Sequence, residues 1–167
     1  MVVRFQREPV PMQPDLPITI RPYATSDWPR LCAIHDAARL DELKLSVSAD
    51  AFLNLEQTAA SEGLFSGCLD VAERNGLLVG FVAYTPTDLT WLYVAPDCYR
   101  TGIGRALLRH AINRAGPVFG TEVLDGNQPA IGLYLSEGFR IKERKTGRLE
   151  GNDIFPAAGL ILERRRQ

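Results

Sequence analysis

The 167-residue sequence contains little of what metal sites, secreted scaffolds and membrane spans require. It has only three cysteines and two histidines, and it contains no CxxC motif and no Cys/His cluster. A structural zinc site or a disulfide framework is therefore not expected. The longest uncharged run, Asn75 to Thr87, is shorter than the ~20 residues of a membrane-spanning helix. The N-terminus has no apolar core of a secretory signal, so we expect a cytoplasmic protein with reduced thiols and no membrane partner.

An excess of one charge is also missing. The chain has 19 Lys and Arg residues against 20 Asp and Glu residues, for a net charge of −1. Proteins that neutralise nucleic-acid phosphates usually carry a clear basic excess, so the composition argues against a nucleic-acid partner. Hydrophobic residues make up 46% and charged residues 23%, as in ordinary globular domains. We expect one domain over residues 17–167, preceded by a proline-rich extended arm over residues 1–16.

The hydrophobic pattern predicts an α/β domain with a mixed sheet. The expected order of elements is β-α-α-β-β-β-α-β-α-β-β. The first helix is predicted to run to about Arg39, and the second from about Ala49 to Glu62. The last strand is predicted over Ala158 to Glu163, so the basic segment from Glu163 to Gln167 is expected to be a frayed, solvated tail.

The segment from Val94 to Leu108 reads VAPDCYRTGIGRALL and predicts a strand, a glycine turn and an amphipathic helix. The first N–H groups of a helix have no internal partners, and the helix dipole is positive there. Glycines let an anion approach the backbone, so Tyr99 to Arg105 is a candidate pyrophosphate site. A glycine pair can equally serve tight packing alone. The Lys of a Walker loop and the third glycine of a dinucleotide fingerprint are both missing.

A second segment, Asn127 to Phe139, reads NQPAIGLYLSEGF. The pair of motifs, V-x-P…GIGRALL followed by N-x-x-A-x-x-L-Y-x-x-x-GF, resembles the GNAT superfamily of N-acetyltransferases. The preceding helix-helix-hairpin pattern is similar as well, so the resemblance covers the chain from Ile18 onward. It implies a single-domain GNAT-like fold with a mostly antiparallel sheet of six to seven strands, a splayed central strand and about four helices.

The resemblance implies an enzyme that transfers the acetyl group of acetyl-CoA to a primary amine by direct attack in a ternary complex, without a metal. The alternative is a non-catalytic module of the same fold that binds acyl-CoA and regulates a partner. The acceptor is expected to be a small-molecule amine or a protein amine, and its identity stays open. The edges of such a mixed sheet favour a homodimer.

The resemblance also implies which residues bind acetyl-CoA. The splayed strand is Leu89 to Ala95, and its backbone at Leu92, Tyr93 and Val94 is expected to pair with the pantetheine arm, with a bulge opening the strand. The pyrophosphate is expected to bind at Tyr99, Arg100, Thr101, Gly102, Ile103, Gly104 and Arg105. The family motif has Gln or Arg where this chain has Tyr99, so binding is expected through backbone N–H groups.

Asn127 and Tyr134 are two helical turns apart and therefore face the same side of a helix. By resemblance, Asn127 holds the pantetheine arm and Tyr134 is the general acid that protonates the leaving thiolate. Tyrosine and thiol groups have ordinary pKa values of ~10 and ~8.5, which suits such a transfer. The alternative for Tyr134 is a packing role. The general base stays unassigned, because Asp88 fits a turn and Glu122 is a second weak candidate.

The region from Thr25 to Glu62, which shapes the acceptor pocket in the family, has seven acidic and three basic residues. An acidic pocket would attract a cationic amine. The same excess is also typical of solvated helix faces, which is the simpler interpretation. The charge pattern therefore leaves the nature of the amine open.

Overall fold

The computed structural model of the protein describes residues 16–166. In that range a seven-stranded mixed sheet carries four α-helices, in the predicted order along the chain. The strands are β1 (Ile18–Pro22), β2 (Cys68–Arg74), β3 (Leu77–Tyr84), β4 (Asp88–Val94), β5 (Val118–Leu124), β6 (Arg140–Leu149) and β7 (Asn152–Arg165). The helices are α1 (Trp28–Ser46), α2 (Leu55–Thr58), α3 (Ile103–Arg114) and α4 (Gln128–Ser136). The predicted α/β class and mixed sheet are confirmed, whereas the arm predicted over residues 1–16 lies outside the described residues, except for residue 16.

The sheet order is β1-β2-β3-β4-β5-β7-β6, and only the contact between β4 and β5 is parallel. Helices α1 and α3 both pack on β3, so this strand is buried along nearly its whole length. Leu31 of α1, Phe81 of β3 and Leu107 of α3 are fully buried in the resulting core. The rigid centre of the molecule therefore lies directly beside β4. None of the helices within residues 16–166 combines the length and hydropathy of a membrane span.

The helical region before β2 differs from the sequence prediction. Helix α1 continues past Arg39 to Ser46, because Leu43 extends its buried face by another turn. A continuous second helix from Ala49 to Glu62 is wrong. Residues 49–51 form a 3₁₀ turn capped by Ser48, and the four-residue helix α2 starts anew at the cap residue Asn54. Side-chain caps compete with helix continuation; Ser48 lies just before the predicted helix and Asn54 falls inside it.

The C-terminal segment also differs from the prediction. Strand β7 runs to Arg165, so the basic tail is not frayed over residues 163–165. Its last residues pair with β5 from Val118 to Gly120. The Arg164 Nε donates a hydrogen bond to the Glu137 carbonyl (3.0 Å). The segment lies between β5 and β6, and the backbone partners that these strands offer outweigh its charge.

Candidate active site

The main cleft of the molecule begins where β4 and β5 separate. The two strands pair only at Asp88 with Gly120 and at Leu89 with Thr121. On the other side of β4, the register with β3 shifts next to Thr90, whose hydroxyl donates a hydrogen bond to the Ala83 carbonyl (3.1 Å). Such a bulge bends a strand and increases its twist. The predicted splayed central strand is therefore present, and it opens a cleft of about 800 Å³.

The edge of β4 supplies backbone groups to this cleft. The Ala95 N–H donates to the Val79 carbonyl on β3 (2.9 Å). Because main-chain groups alternate in direction along a strand, those of Leu92 and Val94 face the cleft and those of Tyr93 face β3. Both Leu92 and Val94 also line the cleft. An open strand edge of this kind can pair with the amide groups of an extended ligand.

The loop before α3 forms a backbone site for an anion. Arg100 and Gly102 have positive φ angles of 64° and 86°, and α3 begins at Ile103. The first helical bond runs from the Ala106 N–H to the Gly102 carbonyl (3.0 Å), so the preceding N–H groups are not used by the helix. Successive N–H groups in such a mixed conformation form a concave anion site. An added Cβ on Gly102 would meet nothing within 4 Å, so the space above the loop is open.

Side chains of the loop brace it against its neighbours. The Tyr99 hydroxyl donates to the Asp41 carboxylate of α1 (3.3 Å). The Arg105 guanidinium pairs with Glu137, which also accepts from the Arg109 Nε (2.8 Å). Hydrogen bonds from Arg109 and then Arg105 hold the pKa of Glu137 below its usual value. Of the loop residues predicted to bind the pyrophosphate, all line the cleft except one, Thr101, which lies beneath it.

The two residues predicted on the second motif meet in the same cleft. Asn127 caps α4 by accepting a hydrogen bond from the Ala130 N–H (3.3 Å). Tyr134 lies two helical turns further along, is 5% exposed and packs on Phe139 at a ring distance of 5.5 Å. Burial raises the pKa of Tyr134, although a hydrogen bond with Thr121 opposes this. The Tyr134 hydroxyl is therefore protonated at neutral pH and lines the cleft.

Sequence reasoning missed a carboxylate at the centre of the cleft, Glu42 of α1. Its Oε2 accepts hydrogen bonds from Arg39 Nη1 (2.7 Å) and from the Tyr93 hydroxyl (3.0 Å). Its Oε1 accepts from Asn127 Nδ2 (3.4 Å). Burial raises the pKa of Tyr93 well above its ordinary value, and the Glu42 charge adds to this. The available signal was the i, i+3 spacing of Arg39 and Glu42, but Glu42 lay beyond the predicted end of α1 at Arg39.

The two weak candidates for a general base lie in different places. Asp88 is in the turn between β3 and β4, where its carboxylate accepts from the Thr87 hydroxyl and its N–H donates to the Thr85 hydroxyl (3.0 Å). Asp88 lies where β4 and β5 are still paired, before the two strands separate to open the cleft. The structure therefore supports its interpretation as a turn residue. Glu122 lines the cleft from β5 and is exposed.

Comparison with known proteins gives the same fold. The family model described as the acetyltransferase (GNAT) domain matches residues 65–141. The peptidyl-lysine N-acetyltransferase YiaC of Escherichia coli is 40% identical over 72 residues, covering 42% of this chain and 49% of that protein. The chain thus spans about half the length of the curated relatives it matches.

Solved structures cover more of the chain. The apo form of YjaB from Escherichia coli superposes with a TM-score of 0.63 at 27% identity, over 89% of this chain and 97% of that one. YncA of Salmonella typhimurium, solved with its cofactor acetyl-CoA, shares the fold with a TM-score of 0.68 at 20% identity, over 89% and 94%. The splayed sheet, the glycine loop and these matches together show that the chain has the fold of the GCN5-related N-acetyltransferases and contains, at residues 65–141, a segment that matches the GNAT domain.

Proposed function

We propose that the protein transfers the acetyl group of acetyl-CoA to a primary amine by direct attack in a ternary complex. One observation carries the proposal. The cleft between β4 and β5 brings the open β4 edge, the Gly102 loop and Tyr134 into one space. A donor such as acetyl-CoA has a long amide-containing arm, a diphosphate and a thioester. The β4 edge, the Gly102 loop and Tyr134 are the groups that these three parts require, in that order.

The residues present fit acetyl-CoA, which supplies an activated thioester. The backbone of Leu92 and Val94 offers hydrogen-bonding groups to an amide-containing arm. The Gly102 loop and the N-terminus of α3 offer N–H groups and a positive dipole end to a diphosphate. Asn127 stands between these two parts, with its amide directed toward Glu42. Binding therefore depends mainly on backbone groups that this local fold positions in advance.

Tyr134 is proposed to protonate the departing thiolate. A general acid must be protonated at the working pH and must reach the leaving atom. Burial keeps the Tyr134 hydroxyl protonated, and its position in the cleft wall supports the second requirement. The packing alternative is compatible with the same geometry, since Tyr134 also contacts Phe139. A Phe substitution separates the two, because it keeps the packing and removes the proton.

Glu42 is proposed to accept the proton of the attacking amine. An alkyl ammonium group must lose a proton before it can attack a carbonyl carbon. A carboxylate has about four lone-pair positions, and three donors reach Glu42. Among residues 16–166, the Oε1 atom accepts only the 3.4 Å bond from Asn127, which leaves a position for the amine proton.

The acceptor is proposed to be a cationic amine such as a lysine side chain, the substrate class in the names of YiaC and YjaB. A small pocket beside β4 is lined by Arg39, Tyr93 and two further carboxylates, Glu62 and Glu150. Burial raises the pKa of Glu62, with repulsion from Glu150 adding to it. With Glu42, three carboxylates thus surround one arginine, which favours a positively charged acceptor. The cytoplasmic location and the homodimer stay predictions.

The test is release of free thiol from acetyl-CoA in the presence of a panel of amines, with acetyl-CoA binding measured on the same sample. Lysine-containing peptides, free amino acids and polyamines form the panel. Release that depends on one amine class supports the transferase and names the acceptor. Tight binding without amine-dependent release supports the regulatory module instead, and an absence of binding contradicts both.

A further inference from the structure

Arg74, the last residue of β2, is a buried cation beneath the glycine loop. It is 3% exposed, and its Nη2 donates a hydrogen bond to the Thr101 carbonyl (3.0 Å). Within residues 16–166, its Nε and Nη1 atoms are buried without a hydrogen-bond partner. Burying a charge with unpartnered donors costs stability unless another interaction compensates. Such a residue at the base of a binding loop therefore requires a functional explanation.

The hydrogen bond from Arg74 fixes the direction of one peptide group. The Thr101 carbonyl and the Gly102 N–H belong to the same peptide unit, and no described peptide bond is cis. In a trans peptide the C=O and N–H point in opposite directions. Because Arg74 holds the carbonyl toward β2, the Gly102 N–H points away from β2. Gly102 itself lines the cleft, so this donor is presented to a ligand there.

A second hydrogen bond and the positive charge of Arg74 act on the same loop. The Thr101 hydroxyl donates to the Cys98 carbonyl (2.7 Å), so residue 101 is held at two points. Burial raises the pKa of the Cys98 thiol to about 11, and the charges of Arg30 and Arg74 oppose that increase. The positive charge of Arg74 therefore acts electrostatically on the Cys98 thiol, just before the loop. The loop needs such ties, because Arg100 holds a left-handed φ of 64° that costs a non-glycine residue energy.

We propose that Arg74 is a positioning residue for the diphosphate of the acyl donor. It aims the Gly102 N–H at the diphosphate and places a buried positive charge behind the loop, which the bound diphosphate compensates. This inference rests on the proposed function. Arg74 acts through the loop and not on the thioester, so it is expected to govern donor affinity and to leave the chemical step unchanged.

The experiment compares two acetyl donors in Arg74→Met and Arg74→Lys variants. Acetyl-CoA carries the diphosphate, whereas S-acetylpantetheine carries the same thioester without it. Arg74→Met is expected to raise the Kd for acetyl-CoA about 10-fold or more, the effect of losing one hydrogen bond to a charged group. Its kcat at saturation and its KM for S-acetylpantetheine are expected to stay within about twofold of the unsubstituted protein. Arg74→Lys keeps the charge and is expected to recover part of the affinity.

The control is Arg30→Met, because the Arg30 Nε also donates to a backbone carbonyl, that of Leu78 (3.0 Å), outside the loop. Arg30 also places a charge near Cys98 but holds no carbonyl of the loop, so the Kd of this variant for acetyl-CoA is expected to rise clearly less than that of Arg74→Met. The melting temperature without ligand adds an independent readout. Replacing an incompletely paired buried charge by an apolar side chain is often neutral or stabilising. Arg74→Met is therefore expected to melt no earlier than the unsubstituted protein, while its stabilisation by acetyl-CoA shrinks.

Three outcomes overturn the inference. The first is an unchanged Kd for acetyl-CoA in both Arg74 variants. The second is an equal loss with acetyl-CoA and S-acetylpantetheine, which would indicate a structural role only. The third applies if Arg74→Met fails to fold, and it is a folded Arg74→Lys variant that loses affinity for acetyl-CoA and S-acetylpantetheine equally. Failure of the proposed function looks different, because the unsubstituted protein itself would then not bind acetyl-CoA.

Discussion

Removing one oxygen atom, in Tyr134→Phe, tests the proposed chemistry with little disturbance of the fold. The ring is 5% exposed and keeps its contact with Phe139 in the variant. The variant loses the hydroxyl and its polar interaction with Thr121. Even a complete hydrogen bond contributes only about 1 kcal/mol, which for a domain of this size shifts the melting temperature by about 2–4 °C.

The expected loss of activity is much larger than the loss of stability. General acid catalysis contributes a factor of about 10²–10⁴, or about 3–5 kcal/mol of the activation barrier. We therefore expect kcat to fall by at least about 100-fold. The KM for acetyl-CoA is expected to change by less than about threefold, because backbone groups and Asn127 are the residues proposed to hold the donor. Both quantities come from the initial rate of thiol release at saturating amine.

Tyr84→Phe is the matched control. Tyr84 is also buried, and its hydroxyl donates to the Asp70 carboxylate (2.8 Å) outside the cleft. Loss of a hydrogen bond to a carboxylate costs at least as much stability as the loss at Tyr134. We expect a lower melting temperature with an unchanged kcat. If Tyr134→Phe keeps a kcat within about threefold of the unsubstituted protein, Tyr134 is a packing residue and the acid assignment is wrong.

Three further predictions concern other parts of the molecule. In Gly104→Ala the new Cβ meets Leu133 and Val94 at 3.5 and 3.6 Å, so we expect an unchanged or higher melting temperature but weaker acetyl-CoA binding by calorimetry. Glu42→Gln is expected to lower kcat at least about 10-fold at saturating amine, whereas Asp88→Asn is expected to leave kcat unchanged. Equal kcat values in the two variants would exclude Glu42 as the base. Burial lowers the pKa of His35 in the folded protein. Below pH ~6.5, the ordinary pKa of histidine, the unfolded chain therefore binds more protons than the folded one, and the stability falls as the pH drops. His35→Gln is expected to flatten the decline in melting temperature between about pH 7 and about pH 5, and an unaltered slope would contradict this.

Much of the site could be predicted because its parts are short and contiguous in sequence. The glycine turn before α3 and the segment from Asn127 to Tyr134 each carry their own local geometry, a left-handed turn and a capped helix. The order of helices and strands along the chain followed from the same patterns and from tight turns such as Asn75-Gly76, where both residues have positive φ. Such features depend on neighbouring residues and not on the rest of the fold.

The parts that sequence reasoning missed depend on long-range contacts. Glu42 enters the cleft only because α1 extends one turn further and packs beside β4, where Tyr93 donates to it. Arg74 ends a strand, where an arginine is normally solvated, and only the packing of β2 beneath the loop buries it. The β7 tail was misread for a similar reason, because its partners lie on β5 and β6.

The most direct measurement of the central claim is a time course of the unsubstituted protein with acetyl-CoA and one lysine-containing peptide. Free thiol and acetylated peptide are followed together, the latter by mass spectrometry. The account predicts that both appear at equal rates, and that thiol release drops to background when the peptide is omitted. Saturable binding of acetyl-CoA without acetylated product from this or any other amine would contradict the account.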